Sequence, residues 1–187
     1  MQLRNSPDRY GAVAQALHWL TVVLVAVAWL LGTFGDEFPK GPARESSLFI
    51  HISAGVAILA VLAVRLLWRV GDPPPPPEPT WFGPWLDYVA RIGHYALYAL
   101  LVAVPVVGIV TQFARGDALP LFGLTEIASP WAADRPFARS MKEIHEVLSH
   151  TLVILAGVHA AAALVHHWLL GDRTLVRMLP HAGSGRP

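Results

Sequence analysis

Four stretches of the chain are apolar for about the length of a bilayer crossing, with polar residues between them. They run from Gly11 to Phe34, Leu48 to Trp68, Ile92 to Phe113 and Ile144 to Leu170. A spanning helix needs roughly 20 apolar residues. A lone segment in lipid must satisfy its own backbone, so each stretch is predicted to be a helix. Pro105 should kink the third. The connections differ in character. Asp36 to Ser47 is a short polar loop, and Gly71 to Thr80 holds a run of prolines that favours a stiff polyproline linker. Trp81 to Ala90 reads either as a short interfacial helix starting at Pro84, with Trp81 and Trp85 at headgroup level, or as plain loop. Ala114 to Lys142 is the longest connection. No internal repeat is evident.

Composition agrees with the pattern. The 187 residues are 54% hydrophobic and 14% charged, whereas a soluble domain carries about a quarter charged residues. The expectation is an all-α membrane protein, one four-transmembrane-helix bundle over residues 1–187 with no added soluble domain. The N-terminus is basic at Arg4 and Arg9. The apolar run after it is longer than a signal-peptide core and holds a histidine, so it reads as a retained first helix. A net charge of +1 gives no pull toward nucleic acid. The chain has no cysteine, which excludes disulfides, iron–sulfur clusters and thioether-linked haem. An even number of spans puts both termini on one side. Arg4, Arg9, Arg65, Arg69, Arg91, Arg173, Arg177 and Arg186 fall there, against Lys40, Arg44, Arg115, Arg135, Arg139 and Lys142 on the other. The excess predicts cytoplasmic termini.

Histidines change the picture most. Between Met141 and His167 there are five, in a segment apolar enough to lie in lipid. His145 and His159 are fourteen residues apart, roughly 21 Å of helical rise and nearly four whole turns. Their imidazoles share a face at two depths. His166 continues the stripe, and His150 points away from it. In a soluble core a lone histidine is usually a satisfied packing residue, but an ionisable group inside a span is costly and marks a functional site. Depth pairs His51 with His145 toward the outer side and His18 with His159 toward the inner side. His94 enters at the same depth as His18, so geometry alone does not choose between them. Haem iron takes axial histidine, and bundle interiors are where such sites are built. Small residues follow His51 (Ser53, Ala54, Gly55) and flank His159 (Ala156, Gly157, Ala160 to Ala163), though they also serve helix packing. Zinc wants three or four ligands together, and these histidines divide into pairs. The reading is two non-covalent b haems, each with two histidines. With no open position at iron, they would pass electrons across the membrane.

The residues that carry a family resemblance are ALHWL around His18, HISAG from His51, IGHYALYALLVAVPVVG around His94, Arg115–Gly116, FGL from Phe122, KEIHE around His145, GVHAAAALVHH around His159 and DRTLVRMLP near the end. Together they cover nearly the whole chain. It resembles the bacterial cytochrome b561 family, and within it the short diheme superoxide oxidases. One departure is Ile144, where a tryptophan is expected before the histidine. The resemblance implies that His18 and His159 hold one haem and His51 and His145 the other. It also implies an inner-membrane protein that passes electrons from superoxide to ubiquinone. A similar bundle serves as the cytochrome b subunit of membrane hydrogenases and formate dehydrogenases. A subunit docking a partner dehydrogenase or hydrogenase to the quinone pool is therefore the alternative.

The two ends of the electron path remain to be assigned. At the outer face Arg115, Arg135, Arg139 and Lys142 could raise the local concentration of a small anion such as superoxide. The interspersed Asp117, Glu126, Asp134 and Glu143 fit an ordinary solvated loop equally well. At the inner face His94, His166 and Arg91 are candidates for a ubiquinone pocket, because a histidine can deliver a proton near neutral pH. An outer pocket near Trp131 and Lys142 is the other possibility.

Overall fold

The computed structural model describes residues 2–78 and 83–180. Four long helices dominate: α1 (Ala12–Phe34), α2 (Pro42–Gly71), α3 (Pro84–Ala114) and α4 (Arg135–Trp168). All four are long and apolar enough to cross a membrane. One 3-10 turn, Gly35–Glu37, leads from α1 toward α2.

Three of the helices begin well before their apolar stretches. α2 begins at Pro42 and not Leu48, α3 at Pro84 and not Ile92, and α4 at Arg135 and not Ile144. Hydropathy locates what lies in hydrocarbon, while helix ends are set by capping. Pro42 and Pro84 stand at the first helical position, where a missing N–H costs nothing. Asp134 caps α4 by accepting a hydrogen bond from the Phe137 N–H at 3.0 Å. The stretch Trp85 to Ala90 is thus the first part of α3, neither a separate interfacial helix nor a loop. Trp81 lies outside the described residues.

The long connection contains a small antiparallel hairpin, β1 (Leu119–Leu121) and β2 (Thr125–Ile127). Phe122 and Gly123 both have positive φ, 56° and 73°, at the centre of its turn. That is the geometry that matches the twist of paired strands.

Each half of the chain is a helical hairpin, α1 with α2 and α3 with α4. The halves meet chiefly along α2 and α3, and α1 barely touches α4. The buried apolar cluster is small: Ile58, Leu62, Leu101 and Leu152, with Val25 and its neighbours packed on it. Large apolar side chains such as Val23, Leu67, Val147 and Ile154 face outward. This is the pattern of a multi-pass membrane protein, in which lipid is the outer solvent.

At the end carrying both termini, Arg177 ties three segments together. Its guanidinium donates to the carbonyls of Asp8 (3.0 Å), Pro7 (3.1 Å) and Pro76 (2.9 Å), and pairs with the Glu78 carboxylate at 3.2 Å. The proline linker is held further by Asn5, whose side chain donates to the carbonyls of Asp72 and Pro73 at 3.0 Å. Trp19 donates to the Met178 carbonyl at 2.9 Å.

Candidate haem sites

The loop end of the bundle holds a cavity of about 480 Å³ lined by all four helices. His51 enters from α2 and His145 from α4, with ring centroids 5.9 Å apart and planes crossed at 83°. An imidazole nitrogen coordinates a metal at about 2 Å. A ring centre lies about an ångström behind its nitrogen, so two rings on opposite sides of one metal stand about 6 Å apart. This pair fits. Each ring is also turned the right way. His51 Nδ1 donates to the Ala28 carbonyl at 2.8 Å, and His145 Nδ1 to the Val104 carbonyl at 2.9 Å. With Nδ1 protonated, the Nε2 lone pair is left for iron.

The cavity walls suit a macrocycle that carries carboxylates. Most of the lining is apolar, yet Trp29 Nε1, Arg44 Nε and Ser47 Oγ are buried in it with no hydrogen-bond partner among the described residues. Buried donors in that condition call for an acceptor. Arg44 also pairs with the Asp36 carboxylate at 3.0 Å.

Of the cations named from sequence, Arg115 and Lys142 line this cavity, and Arg135 and Arg139 do not. Lys142 pairs with Glu146 at 3.2 Å. Arg44, on the first turn of α2, is the third cation at the cavity. His150 lines it too, its ring 6.2 Å from that of Trp29.

At the terminal end three imidazoles gather, His18 from α1, His94 from α3 and His159 from α4. The His18 and His159 ring centroids are 6.5 Å apart, those of His94 and His159 only 5.1 Å. By the same spacing argument the first pair leaves room for a metal between the rings, and the second is about an ångström short. Hydrogen bonding is less one-sided. His94 Nδ1 donates to the Ala90 carbonyl at 2.7 Å, which frees its Nε2. His18 Nδ1 accepts from Arg65 Nη2 at 3.2 Å, since guanidinium has no acceptor. That contact puts the His18 proton on Nε2. Ligation through Nε2 requires the other tautomer and the withdrawal of Arg65, which also lies 5.6 Å over the Tyr98 ring. Among the described residues no three His, Asp or Glu side chains form a metal-holding group.

His166, two helical turns beyond His159, meets Asp172 at 2.5 Å. Burial works against ionisation of Asp172, but hydrogen bonds from the His166 ring and from Thr174 outweigh it and hold the carboxyl below the usual carboxylate range. Asp172 therefore remains an acceptor for the imidazole proton throughout the neutral range. Arg91 is exposed on the first turns of α3.

Four spanning helices with imidazoles facing one another inside define the scaffold of a membrane cytochrome. The chain belongs to the prokaryotic cytochrome b561 family, whose model matches residues 9–181. It is 33% identical to cytochrome b561 homolog 2 of Escherichia coli K12, over 98% of both chains. It is 34% identical to the probable superoxide oxidase CybB of Yersinia pestis, over 92% of this chain and 96% of that one. To cytochrome b562 of Cereibacter sphaeroides the figures are 28%, 91% and 94%. The protein is thus a b-type haem protein of membrane electron transfer.

Proposed function

We propose that the chain is one cytochrome b561-type unit in the bacterial inner membrane, with cytoplasmic termini, that moves electrons from periplasmic superoxide to ubiquinone. The observation that carries the proposal is the pairing of imidazoles at two heights: His51 with His145, and His18 with His159. Haem b held by each pair of histidines would supply one-electron transfer. The choice of His18 over His94 rests on ring spacing and on the family's ligand pattern.

Superoxide as donor is supported by the name of the Yersinia pestis relative. It is also supported by Arg115 at the loop-end cavity, where Arg44 and Lys142 are already paired with the Asp36 and Glu146 carboxylates. Cations at a cavity mouth focus the field and hasten the arrival of a small anion. Two superoxide ions each give up one electron and leave as dioxygen. Ubiquinone takes both electrons and two protons to become ubiquinol. His166, with Asp172 accepting its Nδ1 proton, is placed at the terminal end to pass protons to a quinone. His94 and Arg91 are the other candidates for the quinone site.

The test is the purified, haem-loaded protein mixed with superoxide and a soluble ubiquinone. Catalytic loss of superoxide matched by ubiquinol, two to one, is the expected result. Inertness until a dehydrogenase or hydrogenase is added would favour the docking-subunit role instead. In the same assay His166→Ala is expected to slow ubiquinol formation by about 10²-fold, the lower range for a lost proton donor. Haem reduction by superoxide should remain prompt. Unchanged turnover would remove His166 from the quinone site.

A further inference from the structure

The two hairpins repeat one arrangement of chemically distinct residues. In α1, Gly32 follows His18 by fourteen residues; in α3, Gly108 follows His94 by fourteen. In α2, Arg65 follows His51 by fourteen; in α4, His159 follows His145 by fourteen. Halfway along each interval stand Val25, Leu101, Ile58 and Leu152, one per helix, and these four meet in the buried core between the two histidine levels. The repeat is closest at the loop end. The carbonyl that takes the His51 proton belongs to Ala28, four residues before Gly32, and the one that takes the His145 proton belongs to Val104, four residues before Gly108.

We infer that Gly32 and Gly108 are a matched pair of positioning residues, each holding open the place where one axial histidine of the loop-end haem reaches its carbonyl. The inference rests on the reading that His51 and His145 hold a haem. In a helix the residue four positions on lies over a given carbonyl, and its Cβ leans back toward the N-terminus, across the approach to that oxygen. A Cβ at Gly32 would stand 2.8 Å from His51 Cε1 and 3.1 Å from its Nδ1. A Cβ at Gly108 would stand 3.0 Å from His145 Cε1 and 3.3 Å from its Nδ1. Ordinary carbon contacts begin at about 3.5 Å. The helix cannot yield by itself, because the same turn carries both the glycine and the acceptor carbonyl. The ring must withdraw, and withdrawal stretches the bond that fixes its tautomer and its plane. A shift on the order of 0.5 Å is the tolerance of a preorganised site.

The experiment uses Gly32→Ala and Gly108→Ala in the full-length, haem-loaded protein. Gly93→Ala in α3 is the control, since a Cβ there would meet nothing within 4 Å among the described residues. Alanine is the better helix former, so the helices themselves should not suffer. The readouts are haem per chain for each site and the ferric low-spin electron paramagnetic resonance signal. The anisotropy of that signal reports the crossing of the ring planes. Expected is a roughly 10–100-fold weaker hold on the loop-end haem, with a changed signal, greater for Gly32→Ala than for Gly108→Ala. The terminal-end haem should stay complete in the same samples, and Gly93→Ala should match the parent. Unaltered content and signal in both variants would overturn the inference. So would equal loss of both haems, which would make the glycines packing residues. If His51→Ala and His145→Ala themselves retain every haem, the ligand reading fails first, and the two failures are thereby told apart.

Discussion

Under the proposed ligand assignment, replacing His51 or His145 with alanine is expected to leave a protein with one haem where the parent would hold two. Altering only the hydrogen-bond partner of a metal-bound histidine costs roughly 10–100-fold in affinity, so deleting the ligand should empty the site. The other haem should stay, because the buried layer of Val25, Ile58, Leu101 and Leu152 separates the two levels. His145 and His159, which would serve different haems, stand roughly 21 Å apart along α4. The measurement is pyridine haemochrome content per chain, together with superoxide consumption, which should fall to the spontaneous rate. The terminal end provides the complementary comparison. His18→Ala should lose the second haem, and His94→Ala should keep it. Two haems in purified His145→Ala would refute the assignment at the loop end. Haem loss from His94→Ala without loss from His18→Ala would reassign the terminal-end ligand.

The second large effect belongs to Arg177. Its side chain is 7% exposed and serves three carbonyls and one carboxylate. Removing one member of a buried ion pair costs about 3–5 kcal/mol. Glu78 keeps 21% exposure and can be partly hydrated, which places Arg177→Ala near the lower bound, about 3 kcal/mol. For a chain of this size that lowers the unfolding midpoint by roughly 6–12 °C. Arg177→Lys should recover only part, since an ammonium cannot reproduce the guanidinium fork. Thermal unfolding in detergent, followed by helical circular dichroism, measures both. Equal midpoints for Arg177→Ala and the parent would mean that the linker and termini are held by other contacts.

The spanning helices and the histidines were legible in the sequence because lipid permits so little else. An apolar run of that length must be helical, and a histidine within it needs a reason. The starts of α2 and α4 were not legible, since Pro42 and Asp134 lie in polar sequence where hydropathy is silent; Pro84 did signal a helix start, but not that this helix runs on into the third span. The β-hairpin escaped because three-residue strands show no usable alternation, although Gly123 marks its turn. Arg44 carries no signal of its own in the sequence, because the polar first turn of α2 that presents it to the cavity reads as loop. Asp172 and Arg177 act through contacts that close only when distant segments meet. The repeat between the hairpins was present all along in the fourteen-residue offsets of Gly32 and Gly108. Only three of its four terminal-end positions are histidine, and Arg65 at the fourth breaks the match. The connections differ too, a short polar loop in one hairpin and a β-hairpin in the other.

The thin seam between the hairpins has a consequence for the life of the protein in a cell. Under the ligand assignment proposed above, each iron draws one histidine from the first hairpin and one from the second. The two metals would then be rivets between halves that otherwise share little surface. A ligand that binds only the assembled state stabilises it by mass action. Newly made chains short of cofactor would be two loosely hinged halves exposed to membrane proteases, and steady-state abundance would track the supply of iron.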